Sequence, residues 1–198
     1  TRATARSVLR RSGSRLAPGN DWRPRPIASP HRSVAPPYDE AEIPGLRRLV
    51  DAQPTASSRR IAGAVYLLGL GGGLDGRWFP RVRGSDVCRR NGVLTVVVPE
   101  PKPRVVPIRA AFATELEELA RVAGNEPLTG AALDGRNASN RLQQRIRQAA
   151  GSPKLTAKRA RTTWIAWHIE RGTRLPDLIE AAGVQDVSGL RNLSEHIP

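Results

Sequence analysis

Cysteine occurs once in this chain, at Cys88, and methionine not at all. A lone thiol excludes a disulfide framework and a thiolate zinc site. The three histidines, His31, His168 and His196, are too scattered for a metal-ligand spacing, so neither a metal nor another cofactor is expected. Long apolar runs are missing too. The longest, Ile61 to Leu74, has fourteen residues and is rich in glycine. About 20 apolar residues are needed to cross a bilayer, so no membrane association is expected. No secretory signal is visible, which makes a cytoplasmic, nucleoid-associated location the expectation. A chain that starts at Thr1 without methionine is expected to be a piece of a longer one.

Acid is in deficit: 18 Asp and Glu face 32 Lys and Arg, for a formal net charge of +14. Lysine is scarce as well, at Lys102, Lys154 and Lys158 only, so the basic character is arginine. Clustered arginine neutralises phosphates and releases their counterions, which points to a polyanionic partner rather than a small-molecule substrate. The excess sits in two blocks. Residues 1–33 carry a net +7 and residues 136–174 a net +9, whereas 34–135 carry +1 and 175–198 carry −3. Two blocks predict two contact regions.

The first block, with Trp22-Arg23-Pro24-Arg25-Pro26 and Pro36-Pro37, reads as extended backbone. Residues 1–37 are therefore expected to be a basic, Pro-rich arm or linker, with Val8 to Leu16 the end of a helix from an upstream domain. Residues 38–198 are expected to fold as one domain. Asp39 with Glu42 three later predicts a capped helix to about Ala52. Ser57 or Ser58 is expected to cap a second helix through Leu70, its inner face carrying Ile61, Val65 and Leu68. A short helix is expected around Arg77 to Arg83. Val93 to Val98 and Arg104 to Pro107 flank Pro-Glu-Pro-Lys-Pro and predict a β-hairpin. Further helices are expected over Ala111 to Val122, Ser139 to Ala150, Thr156 to Arg171 and Leu175 to Ala182, with a last turn over Val187 to Leu193. The fold class is thus mainly α with a small antiparallel β-sheet (α+β).

Gly71-Gly72-Gly73-Leu74-Asp75-Gly76 matches G-x-G-x-x-G literally. That pattern needs a strand before it and a helix after it to hold a pyrophosphate. Here a helix precedes it and Pro80 soon follows, so the glycines read as a helix stop. The helix from Ser139 places Leu142, Ile146 and Ala149 inward and Arg141, Arg145 and Gln148 outward. The next helix opens on Lys158, Arg159 and Arg161, cations that oppose the helix dipole unless an anion is bound. Trp164 and Trp167, three apart, read as core and rim packing.

From Tyr38 onward the chain resembles the catalytic domain of the tyrosine recombinases (phage-integrase type). The resemblance is carried by Leu67 to Leu74, Val82-Arg83-Gly84-Ser85-Asp86-Val87, Val93 to Val98, Arg104-Val105-Val106-Pro107 and Leu155 to Leu193. It implies helices around a small sheet and a basic cleft that clamps duplex DNA. It also implies a catalytic set of two arginines, a hairpin lysine, a His-x-x-Arg pair, a further His or Trp and a C-terminal tyrosine. On this chain the first arginine position holds Asp75, with Arg77 two residues on. The hairpin lysine corresponds to Lys102. Lys158 stands at the histidine of His-x-x-Arg, and Arg161 keeps the arginine. Val184 occupies the later histidine position and Leu193 the tyrosine position.

Leu193 has no nucleophilic oxygen, and an acid at Asp75 opposes charge build-up on the reacting phosphate. The resulting expectation is a catalytically inactive, double-stranded DNA-binding protein, not an enzyme, acting as a regulatory or architectural factor from a mobile element of a GC-rich bacterium. Arg77, Lys102, Arg104, Arg141, Arg145, Lys158, Arg159 and Arg161 are expected to line the DNA face. Two alternatives stand beside it. One is an active integrase with a rearranged site and a tyrosine supplied in trans. The other is an interaction module, a homo-oligomer on DNA held by the C-terminal segment Leu175 to Pro198.

Overall fold

The computed structural model describes residues 35–130, 133, 135 and 137–184. The expected Val8 to Leu16 helix, the last turn over Val187 to Leu193, and Leu193 itself lie outside the described residues. Helix α1 spans Glu42–Asp51 and α2 spans Ala56–Tyr66. Ahead of α1, the Glu42 N–H donates to the Asp39 carboxylate at 2.7 Å and the Asp39 N–H to Glu42 at 3.1 Å, the reciprocal pair that the spacing predicts. Ahead of α2 the cap is Thr55, two or three residues earlier than expected. Ser58 is its partner rather than the cap, exchanging hydrogen bonds at 3.1 and 3.2 Å.

After α2 the helix widens into a π-helical turn, Leu67–Gly71, buried throughout. The turn rests on α3 (Ala110–Ala123) and α5 (Ala157–Glu170) and forms the middle of the core. Leu68 and Leu70 within it, and Ile61, Val65, Leu74, Phe79, Leu116 and Trp164 of the same core, are all fully buried. The glycines at 71–73 end this segment as the sequence indicates, and Gly73 takes φ +59.

The sheet has three antiparallel strands in the order β1-β2-β3: Val87–Arg90, Val93–Val98 and Arg104–Pro107. Val96 pairs with Val87 on one side and Val106 on the other. Only the second hairpin was expected. The first is made by Asn91-Gly92, both with positive φ (50 and 81), the two-residue turn whose twist matches that of the flanking strands. That dipeptide was the available signal for β1.

Two helices are shorter than their periodicity suggests. The expected helix at Arg77 to Arg83 is a single 3-10 turn, Gly76–Trp78, because Asp75 takes the Arg77 N–H and Pro80 supplies none. The helix expected over Ser139 to Ala150 is α4, Ala138–Gln144, and Ala149, expected inward, is exposed. Its continuation is diverted by Gln53. The Gln53 amide accepts the Arg147 N–H at 2.9 Å and donates to the Arg147 carbonyl at 2.9 Å, replacing the bonds that a helix would have made. Helix α6, Leu175–Ala182, has the expected bounds and closes on left-handed Gly183. Among the described residues no helix is long and apolar enough to cross a membrane. Nor do three or more His, Cys, Asp or Glu side chains gather to hold a metal ion.

Candidate nucleic-acid interface

A cleft of about 980 Å³ opens between three chain segments: Asp75 to Arg81, the start of α4, and the start of α5. Neutral side chains set its shape. The Gln143 side chain on α4 accepts the Ala157 N–H at 3.0 Å, tying α4 to the first turn of α5. The Tyr38 hydroxyl donates to the Lys154 carbonyl and accepts the Thr156 N–H at 2.9 Å. Thr156 then caps α5 through Arg159 N–H at 3.3 Å. Ser139, Asn140 and Gln143 supply polar lining to the cleft that Lys158 also lines.

Of the eight basic residues expected at a DNA face, Arg77, Lys158, Arg159 and Arg161 line this cleft. They differ in what they already hold. Lys158 is exposed and has no ion pair among the described residues. Arg159 is committed: its guanidinium grips both Glu42 oxygens at 3.0 and 2.6 Å and the carbonyls of Pro36 and Pro37, and lies 4.0 Å from the Tyr38 ring centre. Arg161 reaches inward and donates to the Gly73 carbonyl at 2.6 Å and the Ala182 carbonyl at 2.7 Å. Burial pulls its pKa down, and the Asp75 charge opposes that. Arg77 is exposed and pairs with Asp75 at 2.8 Å.

The other four stand apart from the cleft walls. Arg104, on β3, donates to the Ala181 carbonyl at 2.9 Å and lies 5.7 Å from the Trp78 ring centre. Burial lowers its pKa, while Asp75 raises it and Arg77 lowers it further, so it belongs to the same charge cluster. Lys102 is exposed in the β2–β3 loop, and Arg141 and Arg145 are exposed on α4 and at its C-terminal end. Sequence reasoning missed Arg81, an exposed cleft residue 6.0 Å from the Trp78 ring centre. Its signal lay in the run Arg77 to Arg83, read as a helix rather than a wall.

Asp75 is the one acid in the cleft wall among the described residues. Burial pushes its pKa up, but hydrogen bonds from the Arg77 backbone and guanidinium, with Arg161 behind them, outweigh this and leave it below the usual aspartate value. A depressed carboxylate stabilises the fold above its unfolded pKa of about 3.9, and that stability is lost as pH falls through the native value. Urea midpoints of the native chain and Asp75→Asn are therefore expected to differ above about pH 5 and to converge near about pH 2. Parallel pH profiles would mean that the carboxylate contributes nothing.

Among the described residues, both tyrosines and the cleft serine have structural contacts. Tyr38 is one of two tyrosines in the chain, and its hydroxyl bridges Lys154 and Thr156; burial raises its pKa. Tyr66 is buried edge-on against Phe112 with ring centres 5.5 Å apart, and burial raises its pKa as well. Ser139 accepts from Gln143 at 3.2 Å. Val184, at the later histidine position, follows α6 and donates its N–H to the Ile179 carbonyl.

Neither a family model nor a curated protein sequence matches the chain. Solved structures do. The XerH site-specific recombinase, in a post-cleavage complex with its palindromic difH substrate, shares 16% identity with a TM-score of 0.58, over 82% of this chain and 50% of that one. XerA recombinase shares 16% with a TM-score of 0.60, over 81% and 60%. The Tn1549 transposon integrase, bound to circular intermediate DNA, shares 15% with a TM-score of 0.53, over 79% and 60%. The chain thus spans about half to three-fifths of these proteins' lengths. One expectation is corrected by this likeness. The chain was expected not to be an enzyme, yet the structures sharing its fold are recombinases, one of them caught after cleavage. With its helices packed around a three-stranded antiparallel sheet and its basic cleft at the head of α5, the chain has the fold of a tyrosine-recombinase catalytic domain.

Proposed function

We propose that this chain binds double-stranded DNA through the cleft between Asp75–Arg81, α4 and the head of α5, and that it does so within a recombinase-type assembly. The observation that carries this reading is Lys158, exposed at the N-terminus of α5 without an ion pair among the described residues, in the cleft that Arg77 and Arg81 also line. A cation there is unfavourable beside the positive helix end, and a phosphate reverses the sign of that interaction. Arg159 and Arg161 hold the wall in place; Lys158, Arg77 and Arg81 meet the backbone.

Both tyrosines have structural roles, and the resemblance puts Leu193 at the nucleophile position. The attacking hydroxyl is therefore supplied by a neighbouring, tyrosine-bearing recombinase chain, onto which the segment from Leu175 docks. A nicked suicide duplex tests this. A covalent adduct on the neighbour, dependent on this chain, supports supply in trans. DNA binding with no adduct on any chain would leave the regulatory or architectural role.

The grip has its own measurement. Log affinity for a duplex is expected to fall linearly with log salt, by about 0.9 per phosphate neutralised. Lys158→Ala and Arg77→Ala are each expected to flatten the slope by roughly one such step. An unchanged slope in both would place the DNA elsewhere.

A further inference from the structure

A second cationic cluster lies at the other end of α5, about 20 Å along the helix at 1.5 Å per residue. The guanidiniums of Arg109 and Arg171 both lie over the Trp167 ring, 4.3 and 4.1 Å from its centre. His168 sits beside them, its ring centre 4.8 Å from Trp167 and 4.3 Å from Trp164. No ion pair to either arginine occurs among the described residues. Burial, with Arg171 adding to it, brings Arg109 down to about 10, so it stays charged at neutral pH.

The cluster also holds three buried polar atoms without a hydrogen-bond partner among the described residues: Arg109 Nε, Trp164 Nε1 and His168 Nε2. Trp164 is fully buried, so its indole N–H cannot reach solvent. Arg109 uses Nη1 on the Leu70 carbonyl at 3.2 Å, and His168 uses Nδ1 on Thr173 Oγ1 at 2.9 Å. Arg109 Nε and Trp164 Nε1 are donors in every state, and His168 Nε2 is a third in the tautomer in which Thr173 donates to Nδ1. Buried polar groups are nearly always satisfied, and the residues carrying these three are linked through ring contacts of 4.3 to 4.8 Å, beside two arginines that have no ion pair among the described residues.

We propose that Arg109, Trp164, Trp167, His168 and Arg171 form a binding site for a single oxyanion group, a carboxylate or a phosphate, separate from the DNA cleft. Arg109, Trp164 and His168 donate to its oxygens, and Arg171 closes over Trp167 from the solvent side.

The experiment titrates the folded chain with inorganic phosphate in one arm and N-acetyl-glutamate amide in the other. Indole and guanidinium N–H resonances and the Tm are followed. Saturable shifts of the Trp164 indole and Arg109 Nε signals, with a rise in Tm, are expected in at least one arm. The tighter arm identifies the source: a free phosphate, or an acidic side chain of a protein partner. Arg171 is exposed, so Arg171→Gln preserves the fold and is expected to weaken binding about tenfold, as loss of a charged partner does. Lys158→Ala is expected to leave anion binding unchanged, which separates this site from the DNA reading. Signals that do not saturate in either arm, or equal affinity in Arg171→Gln, would overturn the site. Loss of binding in Lys158→Ala, or displacement of the anion by saturating duplex, would overturn its separateness.

Discussion

Arg161→Ala is expected to lower the unfolding free energy by about 4 kcal/mol, read from urea melts. The guanidinium makes two short bonds to carbonyls, Gly73 at 2.6 Å and Ala182 at 2.7 Å, and hydrogen bonds to a charged group contribute about 1.5–3 kcal/mol each. The two carbonyls belong to different parts of the fold. Gly73 closes the core segment, and Ala182 ends α6. Truncation should therefore free α6 locally before the whole domain unfolds, visible as faster amide exchange over Leu178 to Gly183. Arg161→Lys is expected to recover less than half of the loss, since a single ammonium cannot reproduce the guanidinium fork. Uniform exchange rates in Arg161→Ala would show that α6 is held by its apolar contacts instead.

The second large effect is expected at Gly73→Ala, with a loss of about 4 kcal/mol. A Cβ there would lie 2.3 Å from two atoms of the Trp164 ring, and φ is +59. Overpacking costs about 1–3 kcal/mol and a strained backbone a similar amount. Trp164 cannot retreat, being fully buried in the second turn of α5. Whatever shift relieves the clash moves the helix that carries Lys158 and Arg161, so duplex affinity should fall together with stability. Gly73→Ala with native duplex affinity would separate the core from the cleft.

Much of this was legible in the sequence. Local signals decided α1, α3 and α6, because Asp39, Gly124 and Gly183 mark ends that tertiary contacts do not override. The β2–β3 hairpin followed from β-branched runs around prolines. What escaped was decided from a distance. The diversion of the chain after α4 depends on Gln53, 94 positions from its partner Arg147, and no local periodicity encodes it. The same holds for the site. Charge mapping found the head of α5, and Lys158 and Arg161 do meet at one cleft with Asp75. It could not tell a cation facing solvent from one spent on structure, as Arg159 is on Glu42 and Arg161 on two carbonyls, because sign and count are the same in both. Arg81 was passed over because it fell within an expected helix.

The scaffold and the grip answer to different solution variables. Uncharged amides tie the start of α4 to the head of α5, Gln143 on Ala157, and hold the stretch after α4, Gln53 on Arg147 and Gln148 on Leu155. Such bonds ignore ionic strength, and none of the three amides titrates. The exposed cations of the cleft, Lys158, Arg77 and Arg81, are screened over about 10 Å at 0.1 M salt. If the cleft holds DNA as proposed, a rise in salt releases the duplex while the amide bonds that tie α4 to the head of α5 persist, so the chain can be emptied and refilled without breaking them.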